Sequence, residues 1–224
     1  MKILGIDTTT KFLNIGIYND AHIYEYNLEV GRQLSSLLSI TIERILDALD
    51  LRVAEIDYFA CGLGPGSFTG MRTALATMKG LSWAAKRPII GISTLDILAQ
   101  NLRDTDKLIV PIIDAKRNLI YCSVFKNKNG RCLRVSPYML LTQEEFFKKI
   151  KASAIVLGDA IDLYRDRILT NIKGVAILDK DYWYPKARNI IKLALERIKD
   201  KKLDNPFDIK PIYLYPKECQ IKKQ

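Results

Sequence analysis

Three short stretches of the 224-residue sequence hold residue types able to do chemistry. Ile6-Asp7-Thr8-Thr9-Thr10 places a carboxylate at the end of an apolar run, with hydroxyls and backbone N–H groups in the turn that follows. That arrangement can hold a phosphate or Mg²⁺, and it equally describes an Asx turn closing a hairpin. The second stretch, residues 62–72, reads GLGPGSFTGMR and packs Gly64, Pro65, Gly66, Ser67, Phe68, Thr69, Gly70 and Arg72 between an apolar run and a helical pattern. It could cradle an anion at a helix N-terminus, present Ser67 as a nucleophile, or steer the chain into a helix capped by Ser67 or Thr69. Turn plus cap needs no ligand and is the default. The third stretch, Ile113-Asp114-Ala115-Lys116-Arg117-Asn118, repeats the carboxylate of the first but has no glycine to let backbone approach a phosphate.

Other chemistries lack their partners. A serine nucleophile needs a base, and the only histidine is His22, in a polar hairpin strand. Cys61, Cys122, Cys132 and Cys219 show no C-x-x-C spacing, so neither a zinc site nor a disulfide framework is expected, and no metal or cofactor is assigned. Cys61 and Cys122 lie in apolar runs and read as small buried hydrophobes.

The elements that must position these residues follow from periodicity. Runs 2–7, 12–19 and 22–30 read as a three-stranded meander. A helix follows, with its apolar stripe from Leu34 to Leu49, then a strand over 56–61 and a second helix whose stripe runs from Met71 to Ala85. Residues 88–92 form a strand, and 93–100 a helix opened by Ser93 or Thr94. The polar break 101–107 marks a domain boundary, giving subdomains 1–104 and 105–224. The second half repeats the order: strands over 107–114, 118–125 and 131–140, and a helix over 143–151 announced by the capping box Thr142/Glu145. After these come a strand over 154–159, a helix over 161–168, a strand over 174–179 and a last helix over 187–199. Both halves read βββαβαβα, an α/β fold duplicated within one chain, each half a mixed sheet covered by helices. The last helix is expected to pack back on the first subdomain.

Charge divides between the halves. Residues 1–104 carry 10 Lys/Arg against 11 Asp/Glu, and residues 105–224 carry 25 against 14, so the whole basic excess belongs to the second half. Such an excess suits an acidic partner such as RNA, or only a solvated surface. No apolar run reaches the roughly 18 residues needed to span a bilayer. The N-terminal MKILGID meets Asp7 too soon for a secretory signal. No membrane contact and a cytoplasmic location are expected.

The duplicated order resembles the actin, sugar kinase and Hsp70 ATPase superfamily (ribonuclease H-like). That likeness implies phosphate or nucleotide contacts at Asp7, Thr8, Thr9 and Asp114. The Gly-Gly pair that usually lines the superfamily's adenosine pocket is missing, since Leu157-Gly158-Asp159 offers one glycine. More specifically, ILGIDTTTKFLNIGI, GLGPGSFTGMRTALATMKGLSWA, PIIGISTLDILAQN, VPIIDAKRNLIYCSVF and VLGDA resemble the TsaB family of tRNA threonylcarbamoyladenosine biosynthesis proteins. The chain departs from the family pattern at Gln33, where a His-Ser pair is usual, and at Tyr215, where the family tends to have Arg. The family's catalytic paralogue TsaD binds metal through H-x-x-x-H, and those positions fall here on Thr94 and Leu98.

The resemblance therefore implies a non-catalytic scaffold that binds a TsaD-type catalytic subunit and a TsaE-type ATPase. Their product is threonylcarbamoylated adenosine 37 in tRNAs reading codons that begin with A. It further implies a homodimer when alone, and tRNA contact that is indirect or by weak charge. Pairing would use the helices over 33–49 and 70–86, with Leu37, Ile40, Met71, Leu75, Met78 and Trp83 at the interface; Ile40, Ala76, Trp83 and Ala84 lie off the stripes that cover the sheet. The alternative is an ATP-binding enzyme or peptidase of the same superfamily.

Overall fold

A computed structural model describes residues 1–102, 104–150 and 153–216, so Arg103, Lys151 and Cys219 lie outside the described residues. The chain forms two compact units, one of Met1–Ile97 with Pro185–Pro211, the other of Leu98–Tyr184 with the described residues after Pro211.

In the first unit β1 (Lys2–Asp7), β2 (Phe12–Asn19), β3 (His22–Glu29), β4 (Tyr58–Gly62) and β5 (Ile89–Ile92) form one sheet in the order β3-β2-β1-β4-β5. The first three strands pair antiparallel, and β4 and β5 join β1 in parallel. β1 is buried on both faces, as a central strand with helices on either side must be. On one face lie α1 (Leu34–Ala48) and α2 (Phe68–Ala85), whose Leu38, Ile42, Leu46, Ala74, Leu75 and Met78 close over Leu4, Ile6, Ile15 and Phe59. On the other lies α6 (Ala187–Lys199), with Ile190, Ile191 and Ala194 against Ile3, Ala60 and Ile90. Gly5 and Gly16 stand directly opposite each other in the ladder beneath it. A Cβ on Gly16 would come 2.9 Å from Ile191 Cγ1 and 3.0 Å from the Ala187 carbonyl, so the missing side chain is what lets the helix lie so close.

The second unit repeats the plan. Its strands β6 (Leu108–Asp114), β7 (Leu119–Cys122), β10 (Met139–Thr142), β11 (Ala154–Leu157) and β12 (Ala176–Ile177) run β10-β7-β6-β11-β12, the same order and the same mix of senses. α4 (Gln143–Lys149) and α5 (Ile161–Asn171) bury Phe146, Ile161, Tyr164 and Ile168 against Val110, Ile112 and Val156. The Thr142/Glu145 capping box forms as read: Thr142 Oγ1 accepts the Glu145 N–H at 3.3 Å and Glu145 Oε2 accepts the Thr142 N–H at 2.8 Å.

This half differs from the sequence expectation in two respects: its last helix, over 187–199, belongs to the first unit, and its strands are interrupted at a bend. The runs at 118–125 and 131–140 each break in two, which creates an extra hairpin of β8 (Phe125–Lys128) and β9 (Arg131–Arg134). The break is chemical. Ser136 Oγ accepts the Val124 N–H at 2.9 Å and Ser123 Oγ donates to the Ser136 carbonyl at 3.0 Å, so side chains stand in for ladder bonds at the bend.

Candidate functional site

In the first unit α3 (Thr94–Ala99) begins where β5 ends, and its start meets the two chemistry-bearing stretches at the ends of β1 and β4. Ser67 is the N-cap of α2, its Oγ accepting the Gly70 N–H at 3.2 Å. Thr69 is not the cap; its carbonyl accepts from Thr73 Oγ1. The Gly64–Pro65 peptide is cis. The loop is tied to the Asp7-Thr8-Thr9 turn from both sides: the Ser67 N–H donates to the Thr9 carbonyl at 2.7 Å, and Thr8 Oγ1 donates to the Gly70 carbonyl at 2.7 Å. The Thr94 N–H donates to the Gly64 carbonyl at 2.8 Å and closes the third side. The backbone can come this near because residue 70 has no side chain, since an added Cβ would lie 1.9 Å from the Thr8 carbonyl oxygen.

At the centre sits Asp7, fully buried. Thr9 donates to it twice, from its N–H at 3.1 Å and from Oγ1 at 3.0 Å, and Thr94 Oγ1 in turn donates to Thr9 Oγ1 at 2.9 Å. Burial raises the carboxyl to about 6, against the opposing pull of Thr9 and Thr94. Asn14 stands across the ladder from Asp7, and its Nδ2 is buried with no hydrogen-bond partner. Neither Asn14 nor Thr94 stood out as part of the Asp7 environment in the sequence, although a lone asparagine within FLNIGI was a signal that could have been followed.

The raised value has a measurable consequence. Between about pH 4 and 6 the folded chain holds a proton on Asp7 that the unfolded chain has already lost, so stability falls as pH rises through that window. A shift from 3.8 to about 6 amounts to about 3 kcal/mol. Asp7→Asn is expected to remove the share of this slope that Asp7 contributes and to stabilise the protein at pH 7. Urea melts from pH 4 to 7 report it, and an unchanged slope would show that Asp7 is hydrated.

Asp114 belongs to the second unit, where it ends β6. Its Oδ1 accepts the Lys116 N–H at 2.8 Å, its Oδ2 pairs with Lys116 Nζ at 2.5 Å, and its own N–H donates to Asp159 Oδ1 at 3.0 Å. Burial pushes Asp159 up to about 6 as well, with the Asp114 N–H opposing and the Asp114 charge adding. Lys116, Arg117 and Asn118 all adopt positive φ (63°, 52° and 59°), an unusual run for residues with side chains. Tyr215 fastens this turn: its hydroxyl donates to the Ala115 carbonyl at 2.7 Å and its ring meets Tyr121 edge-on. The departure from the usual residue at 215 therefore has a structural use.

The serine-nucleophile reading gains no support. His22 opens β3, its Nδ1 3.1 Å from the Asp20 carbonyl, and Ser67 Oγ is engaged as a cap. Among the described residues no three His, Cys, Asp or Glu side chains converge as metal ligands. No described helix is long and apolar enough to cross a membrane.

Two kinds of likeness accompany this geometry. The solved structure of YeaZ from Pseudomonas aeruginosa superposes with a TM-score of 0.84 at 22% identity, covering 95% of this chain and 99% of that one, which establishes the fold. In sequence, the model of the family described as TsaD, tRNA N6-adenosine threonylcarbamoyltransferase, matches residues 28–167. The tRNA threonylcarbamoyladenosine biosynthesis protein TsaB of Bacillus subtilis is 32% identical over 75% of this chain and 75% of its own length. The chain belongs to the TsaB family. The TsaB protein of Escherichia coli is 25% identical over 96% of this chain and 94% of its own.

Within this TsaB-family chain the helices expected to pair divide sharply. Ile40 and Trp83 are exposed, 46% and 66%, and Leu37 is half-buried. Met71, Leu75 and Met78, read from sequence as interface residues, lie instead in the core of their own unit, with Met78 fully buried. They form the stripe that α2 uses to cover the sheet, so they offer no surface to a second molecule. The outward side of α2 carries small residues, Ala76, Gly80 and Ala84, one turn apart and all exposed. At the TsaD-type metal positions, Thr94 is tied into the Asp7 network and Leu98 is fully buried.

Proposed function

We propose that this TsaB-family chain acts in tRNA threonylcarbamoyladenosine biosynthesis as a non-catalytic subunit, pairing with a TsaD-type catalytic subunit and a TsaE-type ATPase. The observation that carries this reading is the closed state of the GPGSFTG loop. Thr8, Thr9 and Ser67, the hydroxyls that would hold a phosphate or attack a carbonyl, each bond within the latch, and Thr8 and Thr9 are buried. What the loop delivers is a fixed α2, whose outer face of Ala76, Gly80 and Ala84, beside Ile40 on α1, suits close helix-on-helix docking. The same face serves a second copy when the partner is absent, giving a homodimer in competition with the complex. The site of action is the cytoplasm, where tRNA is modified.

Contact with tRNA in this reading is weak and carried by charge. Its best location is the extra hairpin, where Lys126 and Lys128 are exposed and Lys128 pairs across the ladder with Arg131, with no acidic residue from 125 to 135.

A reconstituted modification reaction with and without this chain tests the proposal. Product is expected to fall to near background when it is omitted, and full activity without it would end the reading. One observation favours a second reading, an ATP-binding enzyme: the orphaned Asn14 Nδ2 beside a buried carboxylate. Saturable heat on titrating Mg-ATP, with turnover lost in Asp7→Asn, would replace the subunit reading with that one.

A further inference from the structure

The two most exposed large apolar side chains among the described residues are Phe207 at 71% and Trp83 at 66%, and they line the same cleft. It has a volume of about 600 Å³ and lies wholly within the first unit. Lys86 and Arg87 complete its rim. That volume is ample for one nucleotide or a comparable flat ligand.

Both walls are built rigidly. Trp83 stands in the last turn of α2, which ends with Lys86 in the left-handed conformation (φ 53°) where glycine is usual. The end is locked by the Arg87 N–H to the Ser82 carbonyl at 3.0 Å and by Ser82 Oγ to the Arg87 carbonyl at 2.6 Å. The opposite wall is the segment after α6, pinned at two points around Phe207. Upstream, Asp204 donates its N–H to the Ile89 carbonyl at 2.9 Å and accepts the Gly91 N–H at 2.8 Å. Downstream, Ile209 is buried in the core. Between them Asn205 Oδ1 accepts the Phe207 N–H at 2.9 Å and fixes the turn. Two rings left bare in water on preordered walls cost apolar exposure that a bound ligand would recover.

Charge narrows the ligand. The acid lining the cleft, Asp204, is occupied by the Gly91 N–H and by Arg197 at 3.2 Å. Lys86 and Arg87 form no ion pair with another described residue. The cleft therefore offers flat aromatic surface and two uncompensated cations, the combination that takes a stacked base with its phosphate.

We propose that this cleft binds a nucleotide of single-stranded RNA, its base stacked on Trp83 and Phe207 and its phosphate on Lys86 and Arg87. The choice of RNA rests on the tRNA reading above; the stacking and phosphate sites do not.

The test uses the full chain alone and an octamer of uridylates, read by indole emission. Trp83 is exposed whereas Trp183, the other tryptophan, is buried at 3%, so a stacked base quenches one of the two. Saturable quenching is expected, and Trp83→Phe should abolish it. Phe207→Ala should weaken binding about tenfold. Each of Lys86→Gln and Arg87→Gln should lower the salt slope by about 0.7. Both residues are solvent-exposed, so these variants fold. No quenching at low salt would overturn the proposal. So would quenching with undiminished affinity in Phe207→Ala, or quenching by a TsaD-type protein with none by RNA, which would make the cleft a protein contact. A chain that supports tRNA modification but fails to quench refutes the cleft alone, and the reverse outcome refutes only the subunit reading.

Discussion

Met78→Asp is expected to unfold the first unit, whereas Gly80→Glu, two positions along the same helix, should leave it folded and abolish pairing. Met78 is fully buried among Ile42, Phe59 and the rest of the sheet-facing core. An aspartate there both deletes a large side chain and buries an unpaired carboxylate, a combined cost of more than about 4 kcal/mol. That is a large share of what any domain of this size has to lose. Residue 80 points the other way, and a Cβ built on it meets nothing within 4 Å. Glutamate at an exposed helical glycine gains about 0.5 kcal/mol of helix propensity, so melting should hold or rise slightly. A charged side chain on the Ala76-Gly80-Ala84 face would hold a partner helix away. Circular dichroism melts and co-elution with the TsaD-type subunit check the two halves of this prediction. A folded Met78→Asp would take Met78 out of the core, and a Gly80→Glu that still co-elutes would put the docking face elsewhere.

The same contrast shows what the sequence could and could not convey. The stripe Met71, Ala74, Leu75, Met78 is legible because its period is that of a helix. Periodicity says that a helix has an apolar side, but not whether a sheet or a partner covers it. Three residues were thus placed at an interface when they belong to the core. The element order in each half was legible for a similar reason, since strand runs and caps are local signals; Ser67, Thr142 and Ser93 all accept where a cap should, Ser93 Oγ taking the Leu95 N–H at 3.2 Å. The extra hairpin was hidden because residues 118–125 are strand-like almost throughout, with Ser123 as the one interruption after Asn118. Its bend depends on Ser136, distant in sequence, to satisfy Val124. The Asp7 site was half legible. The carboxylate and hydroxyls could be read off IDTTT, but their mutual satisfaction depends on contacts 62 and 85 residues away, to Gly70 and Thr94.

Gly70→Ala should be nearly as damaging as a core substitution, although the sequence presents residue 70 only as the start of the helix over 70–86. The added methyl would sit 1.9 Å from the Thr8 carbonyl oxygen and 3.2 Å from Ser67 Oγ. Backbone on both sides of the clash is held by the bonds that define the latch, so the loop must lift rather than adjust. Lifting it breaks Thr8 Oγ1 to the Gly70 carbonyl, Ser67 N–H to the Thr9 carbonyl and the Ser67 cap, three bonds of about 1 kcal/mol each, for a loss of about 3 kcal/mol. It would also let water reach Asp7. The carboxyl would then fall from about 6 toward its ordinary value, and the stability slope between pH 4 and 6 would flatten with it. A lower melting temperature near pH 4, where burial of Asp7 carries little penalty, and a flatter pH profile should therefore appear together in Gly70→Ala, while Gly80→Ala, in open space, shows neither. Because the latch also sets the start of α2, partner binding should weaken in step with the loss of the pH slope. A Gly70→Ala protein that melts like the wild type and keeps its slope would mean that the loop is not closed over Asp7, and the case for a non-catalytic site would fall with it.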